Sequence, residues 1–207
     1  LPLANMSEGK RIAVICASNQ NRSMETHYLL QEQGVPNVSS YGTGSQVKLP
    51  GPTRNQPNVY DFTSSYQEIY DDLVSKDEQF YESRGLLKML QRNMKVKSRP
   101  QRFQDEFKAQ FELIFTFELR VFDLVVEDLR NRQPTTHRLV HVINFETTDT
   151  HHDAAEGAKE AYNLLQILDS KGESWSDEVD MAISEYLAGL ASRKLPERSI
   201  LHDVLYY

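Results

Sequence analysis

The chain has 207 residues, a formal net charge of −7, 39% hydrophobic residues and one cysteine. That length suits one domain with room for an insertion, and it buries a core without metals or disulfides. The acidic balance argues against general nucleic-acid or membrane-surface binding. A single cysteine rules out an internal disulfide and fits a reducing compartment, and no apolar run approaches the roughly 18 residues that cross a bilayer.

Residues 1–5 read as vector-derived sequence ahead of a native start at Met6, with residues 1–9 as a flexible N-terminus and residues 10–207 as one domain. Four short apolar runs rich in β-branched and aromatic residues follow, at 11–17, 37–42, 113–117 and 139–144. Between and after them lie helical patterns: Leu119, Phe122, Val126 and Leu129; then Ala158, Ala161, Tyr162, Leu165 and Leu168; then Val179, Ile183, Leu187 and Leu190. Strands alternating with helices imply βαβ units and a mostly parallel sheet of about four to five strands, covered on both faces: an α/β three-layer sandwich.

The interval from about 48 to 110 interrupts that rhythm and reads as an insertion. Residues 48–62, with Pro50, Pro52 and Pro57, read as an ordered loop or extended arm without a core strand. "SYQEIYDDLVS" and "YESRGLLKMLQRN" read as two helices, the second loosened by Gly85. Trp175 is expected to pack where a helix begins, and the 179–190 helix to face the core rather than a partner.

The first run ends on Cys16. A polar loop, "ASNQN" (Ala17, Ser18, Asn19, Gln20 and Asn21), leads to Arg22 and Ser23 at a helix start. A strand–loop–helix turn aims successive backbone N–H groups into a hollow, and the helix dipole adds to their preference for an anion. A thiolate at the base of that hollow gains from the same groups. Arg22 can fork onto two phosphate oxygens, and the Ser23 hydroxyl can ease sulfur's departure. C-x5-R-S thus supplies a nucleophile, an anion cradle and a clamp for attack by sulfur on phosphorus, with a phospho-cysteine that water then hydrolyses. No metal or cofactor is required.

Such chemistry also needs an acid for the leaving group, drawn from another strand's carboxyl end. "HVINFETTDTHHDAAEGA" offers Glu146, Asp149 and Asp153. Thr150 with Asp153 looks like a capping box, which makes Asp153 structural. Asp149, free in the loop, leads Glu146. The adjacent His151 and His152 suit helix capping better than a metal, since neighbouring histidines rarely face one ion.

"CASNQNRSME", "SYGTG", "VKLPGP", "PNVYDF", "VVEDL" and "HVIN" with its acidic loop, in this order, resemble the Ssu72 family of cysteine-based phosphatases of the RNA polymerase II carboxy-terminal domain. The likeness runs from Lys10 to the closing "ILHDVLYY". It implies a low-molecular-weight tyrosine phosphatase-like fold with a helical insertion, and a substrate of phosphoserine before a cis proline. The fifth heptad position would be the main one and the seventh a second. By the family's pattern Cys16 is the nucleophile, Arg22 the clamp, Asp149 the general acid and Asn19 a brace of the loop, while Lys48, Leu49, Pro50, Tyr81, Leu86 and Met89 fall in the peptide groove. The resemblance further implies nuclear residence, a symplekin-type scaffold of the cleavage and polyadenylation machinery, and a prolyl isomerase to supply the cis form. The family commonly has cysteine at Phe117 and aspartate at Glu146.

The basic run Arg92, Lys95, Lys97, Arg99 and Arg102 reads as a solvated helix end and loop, or more sharply as an attraction for a multiply phosphorylated tail. Two other functions compete: a phosphotyrosine phosphatase of the same fold, and a phospho-reading scaffold whose catalysis is secondary. The single cysteine excludes the disulfide relay of arsenate reductases. It also leaves oxidised Cys16 without an internal disulfide to shelter it. Mild peroxide is therefore expected to abolish activity, and activity that survives peroxide would count against a reactive Cys16.

Overall fold

The computed structural model describes residues 10–53, 55–133, 135–193 and 199–207. The expected vector residues 1–5 and flexible N-terminus to residue 9 lie outside them. The first half of the chain forms β1 (Ile12–Cys16), α1 (Arg22–Glu32), β2 (Val38–Gly42), β3 (Val47–Leu49), β4 (Asn58–Tyr60), α2 (Tyr66–Ser83) and α3 (Leu86–Val96). The second half forms β5 (Leu113–Thr116), α4 (Leu119–Asn131), β6 (Leu139–Phe145), α5 (His151–Ser170), α6 (Val179–Ser192) and β7 (Ile200–Tyr206).

Five strands make one sheet in the order β2-β1-β5-β6-β7. The pairs β2–β1, β1–β5 and β5–β6 are parallel, and β7 runs antiparallel on β6. This is the expected α/β sandwich. Its fifth strand is not among the four apolar runs because polar His202 and Asp203 interrupt β7 and one face of it is partly exposed.

Side chains alternate across a strand, and β1 shows the result. Ile12 and Val14 pack with Leu30, Leu165 and Leu168 on the α1, α5 and α6 face. Ala13 and Ile15 pack with Val121, Val125 and Leu129 on the α4 face. Complete burial of such aliphatic side chains is worth about 1.5–3 kcal/mol each. The α4 stripe is rotated from its expected phase: Val121 and Val125 are buried, whereas Leu119 is half exposed and Phe122 partly buried. In α6, Val179, Ala182, Tyr186 and Leu190 face the core, with Ile183 and Leu187 packed beside them. Trp175, in the short turn Gly172–Ser176 before α6, lies beneath Lys10 Nζ at 4.9 Å.

The insertion has a third core of its own, in which Tyr66, Ile69, Leu73, Leu87 and Leu90 meet Met24 of α1. The proline-containing arm is more regular than expected. β3 and β4 pair antiparallel, and Val47 and Leu49 drop into the third core. Three-residue strands separated by prolines are too short to show a period. Gly85 also acts differently: it separates α2 from α3 rather than loosening a helix, and Tyr81 belongs to α2. Its φ of 73° suits glycine, and a Cβ there would meet the His151 ring at 3.1 Å.

Two histidines, His141 buried and His27 partly so, make the fold acid-sensitive. Burial, helped by the neighbouring Lys97 charge, lowers His27 to about 4; burial, helped by His202, lowers His141 to about 4. An unfolded histidine takes up its proton near 6.5. Stability from these groups is therefore complete above pH 6.5 and is lost as pH falls from 6.5 toward 4. Urea midpoints measured at pH 7 and 4.5 are expected to drop, and the drop should be smaller in His141→Gln.

Candidate active site

Parallel strands bring their carboxyl ends to one edge. The chain leaves β1 toward β2 on one side and later returns to β5 on the other, so a crevice opens at the ends of β1 and β5. Cys16 ends β1, Phe117 and Glu118 follow β5, and residues 146–150 follow β6, all converging on that crevice.

Cys16 Sγ lies 3.0 Å from Ser23 Oγ on the first turn of α1. Asn19 Nδ2 donates to the same hydroxyl at 3.1 Å. Asn19 is fully buried and left-handed, with φ 52°. A left-handed residue within such a loop curls successive N–H groups inward, and asparagine tolerates the conformation better than most residues. Two glycines make room for the curl. A Cβ on Gly42 would meet Ala17 O at 2.8 Å and Asn19 N at 2.9 Å, and one on Gly44 would meet Ala17 O at 3.0 Å. Their backbone is tied to the loop where Thr43 N donates to Cys16 O and Gly44 N to Ala17 O.

Arg22 is buried and spans the crevice. Its Nη1 donates to Phe117 O at 3.3 Å and Thr147 O at 3.0 Å, and its Nη2 to Glu118 at 2.8 Å. Its Nε is buried and donates to no acceptor, with Asp149 Oδ1 3.5 Å away. A buried donor left unpaired costs on the order of 1–3 kcal/mol, which a bound anion would relieve. Burial opposes the Arg22 charge, but Cys16, Asp149 and Glu118 outweigh it and hold its pKa above the ordinary range.

Asp149 stands at the mouth, largely exposed, with Asn21 Nδ2 donating to its Oδ1 at 2.9 Å. Glu146 is turned elsewhere: its carboxylate caps α4 by accepting from Leu119 N at 2.9 Å. Phe117 is buried in the α1/α5 core. Thr150 caps α5, with Asp153 N donating to its hydroxyl and that hydroxyl donating to the Asp153 carboxylate. His151 Nε2 faces the Arg84 carbonyl at 3.0 Å.

A cavity of about 180 Å³ opens over Cys16. Lys48, Leu49 and Pro50 line it, as do Leu86 and Met89, with Asp149 and His151 also on its wall. Tyr81 does not line it. It is buried behind, where Asn58 Nδ2 donates to its hydroxyl at 3.0 Å and to Pro50 O at 3.0 Å, tying the arm to α2.

Several residues that hold the loop had no sequence signal, because they come from the insertion. Tyr66 OH donates to Asn19 O at 2.7 Å, Gln101 N to Asn19 Oδ1 at 3.0 Å, and Asn93 Nδ2 to Gln20 O at 2.9 Å. Arg92 pairs with Glu25 and donates to Gln20 O at 2.8 Å. Burial pushes Tyr66 well above the usual tyrosine range, so it remains a donor. The basic run is therefore not a uniformly solvated end. Lys95 and Arg99 are exposed, Arg102 donates to Gly44 O at 3.1 Å, and Arg92 and Lys97 are largely buried behind the loop.

A family model described as Ssu72-like protein matches residues 10–207. The chain belongs to the Ssu72 family. The human RNA polymerase II C-terminal domain phosphatase SSU72 is 44% identical over 197 residues, covering 95% of this chain and 97% of that protein. The Dictyostelium discoideum protein of the same name is 41% identical over 200 residues, covering 96% and 90%. A crystal structure of Drosophila melanogaster Ssu72 with symplekin and a cis peptidomimetic CTD peptide, phosphorylated on serine five, matches with a TM-score of 0.86 at 42% identity, over 96% of this chain and 98% of that one. The Ssu72 fold therefore includes the arm and insertion that close this crevice.

Gly42→Ala tests the tight contact behind the loop. Its methyl group would displace Ala17 and Asn19, so affinity for an inert oxyanion such as tungstate is expected to fall about tenfold or more, a change of about 1.4 kcal/mol. Calorimetric titration checks the affinity, and circular dichroism should show an intact fold.

Proposed function

We propose that this chain is a cysteine-dependent protein phosphatase that acts on the RNA polymerase II carboxy-terminal domain. It would remove phosphate from serine before a cis proline at the fifth heptad position, with the seventh as a second site. The observation that carries the reading is the buried Arg22, whose Nε makes no hydrogen bond and lies 3.5 Å from Asp149 Oδ1, beside the Cys16–Ser23 pair at the base of a cavity with Asp149 at its mouth. Named relatives of nearly equal length support the substrate, and the fly complex supports the cis proline and a symplekin-type partner. Transcription and mRNA 3′-end processing are then the setting, and the nucleus the compartment. A prolyl isomerase would help because cis is a minority of roughly 10–30% in flexible peptides.

In this reading the phosphate enters the curl of residues 17–21 with its oxygens on backbone N–H groups and Arg22 Nε. Cys16 sulfur attacks phosphorus in line with the serine oxygen. Charge spreads over the three equatorial oxygens, where the cradle is strongest. The departing alkoxide takes a proton from Asp149. Oδ1 of that carboxylate is engaged by Asn21, which leaves its other oxygen to carry the proton. Serine alkoxide is a poor leaving group, so this proton matters more than it would for a phenol. In the second step the Asp149 carboxylate takes a proton from water, which attacks the phospho-cysteine. Ser23 donates to sulfur as the S–P bond breaks. Leu49, Pro50, Leu86 and Met89 offer the substrate proline an apolar wall, and Lys48 stands beside it.

Phosphate release from a heptad peptide phosphorylated on the fifth-position serine tests the proposal, with a phosphotyrosine peptide beside it. Wild type is expected to hydrolyse the phosphoserine peptide. Cys16→Ser should be inactive, and Asp149→Asn slower by about a hundredfold or more. Turnover of the phosphotyrosine peptide alone would overturn the substrate. Tight binding of the phosphoserine peptide without any turnover would favour a phospho-reading scaffold.

A further inference from the structure

Lys97 follows α3 and lies largely buried behind the loop of residues 17–21. Among the described residues, no carboxylate lies within ion-pair distance of its ammonium. Nζ donates to Ser40 O at 2.5 Å and to Gln101 Oε1 at 2.9 Å, and lies 5.6 Å from the Tyr41 ring centroid. A buried cation without an anion is costly and tends to lose its proton. A thiolate at Cys16 would be the opposite charge that acts on this one.

A chain of hydrogen bonds also joins the two residues. Lys97 holds Gln101; Gln101 N donates to Asn19 Oδ1; Asn19 Nδ2 donates to Ser23 Oγ; Ser23 Oγ contacts Cys16 Sγ at 3.0 Å. We propose that Lys97 is a positioning residue whose ammonium supports the Cys16 thiolate from behind the loop, by its charge and by holding Gln101. The inference rests on Cys16 being the nucleophile.

Three cations feel the Cys16 charge: Arg22, Arg92 and Lys97. Lys97 differs from the two arginines because its charge can be lost near neutrality. Burial lowers it to about 7, and the Cys16 charge opposes the fall. The groups around it are His27 from α1, Ser40 and Tyr41 from β2, and Gln101, with Cys16 of β1 acting from farther off through its charge. His27 Nδ1 bonds the Ser40 hydroxyl at 2.9 Å and stays neutral down to about pH 4, so it does not compete for charge above that. The support from Lys97 is therefore present below about pH 7 and fades above it.

Cys16 is the only cysteine, so its alkylation by iodoacetamide reads this thiol alone. Lys97→Met is expected to slow alkylation about fivefold at pH 6. At pH 9 the change should be under about twofold, because there the wild-type lysine is already neutral. Lys97→Arg keeps a charge at both values and should alkylate at pH 6 within about twofold of wild type, with thermal melts confirming that both variants are folded. Equal slowing of Lys97→Met at both pH values, or no slowing at pH 6, overturns the inference. Loss of phosphatase turnover in the wild-type protein, with Lys97-dependent alkylation intact, would overturn the proposed function and leave this inference standing.

Discussion

One left-handed asparagine organises the crevice. Asn19 is buried, and its amide nitrogen, its amide oxygen and its carbonyl each have a partner drawn from a different part of the chain. The partners are Ser23 on the adjacent helix, and Tyr66 and Gln101 at two points of the insertion. A loop meant to receive a highly charged group must hold its N–H dipoles in place before that group arrives, because reorganising them later would weaken the binding of the transition state. The neighbouring carbonyls of Ala17 and Gln20 are held as well, by Gly44 N and by Asn93 and Arg92. Gly42 and Gly44 complete the arrangement by letting a second stretch of backbone approach within van der Waals contact.

The helical insertion is consequently part of the machinery. Its own core seats α2 and α3 on α1 through Met24, and from that seat Tyr66, Arg92, Asn93 and Gln101 reach the loop from outside the sheet. The same insertion contributes Leu86 and Met89 to the groove. The apolar wall of the cavity and the brace behind the loop of residues 17–21 thus belong to one packed unit. A shift of α3 would move both together.

The legible parts of the sequence were those with a local signature. Cys16, Arg22 and Ser23 lie within one strand–loop–helix turn, so their spacing alone placed them together. Thr150 and Asp153 are three residues apart, and their capping role could be read directly. Glu118 could not be, because it meets Arg22 only when the ends of β1 and β5 are side by side. Arg92 and Lys97 sat in a run whose composition looks solvated, and only the packing of α3 against α1 buries them. Likewise β3 and β4 are too short for periodicity to register, and β7 alternates too irregularly to stand out. Family likeness pointed to Lys48, Leu49, Pro50, Leu86 and Met89, which line the cavity, and to Tyr81, which lies behind its wall.

The position of β1 in the sheet has a consequence for how the chain is made. Its partner β2 is available almost at once, but β5 follows only after the whole insertion. Until then one edge of a strand composed entirely of buried residues stays open. Contacts so far apart in sequence slow folding and lengthen the time that apolar edges are exposed on the ribosome or after it. The groups that meet Arg22 arrive later still, with Glu118 and then residues 146–150. A nascent chain therefore carries Cys16 long before the other walls of its crevice exist. The crevice is complete only when the far strands close the sheet.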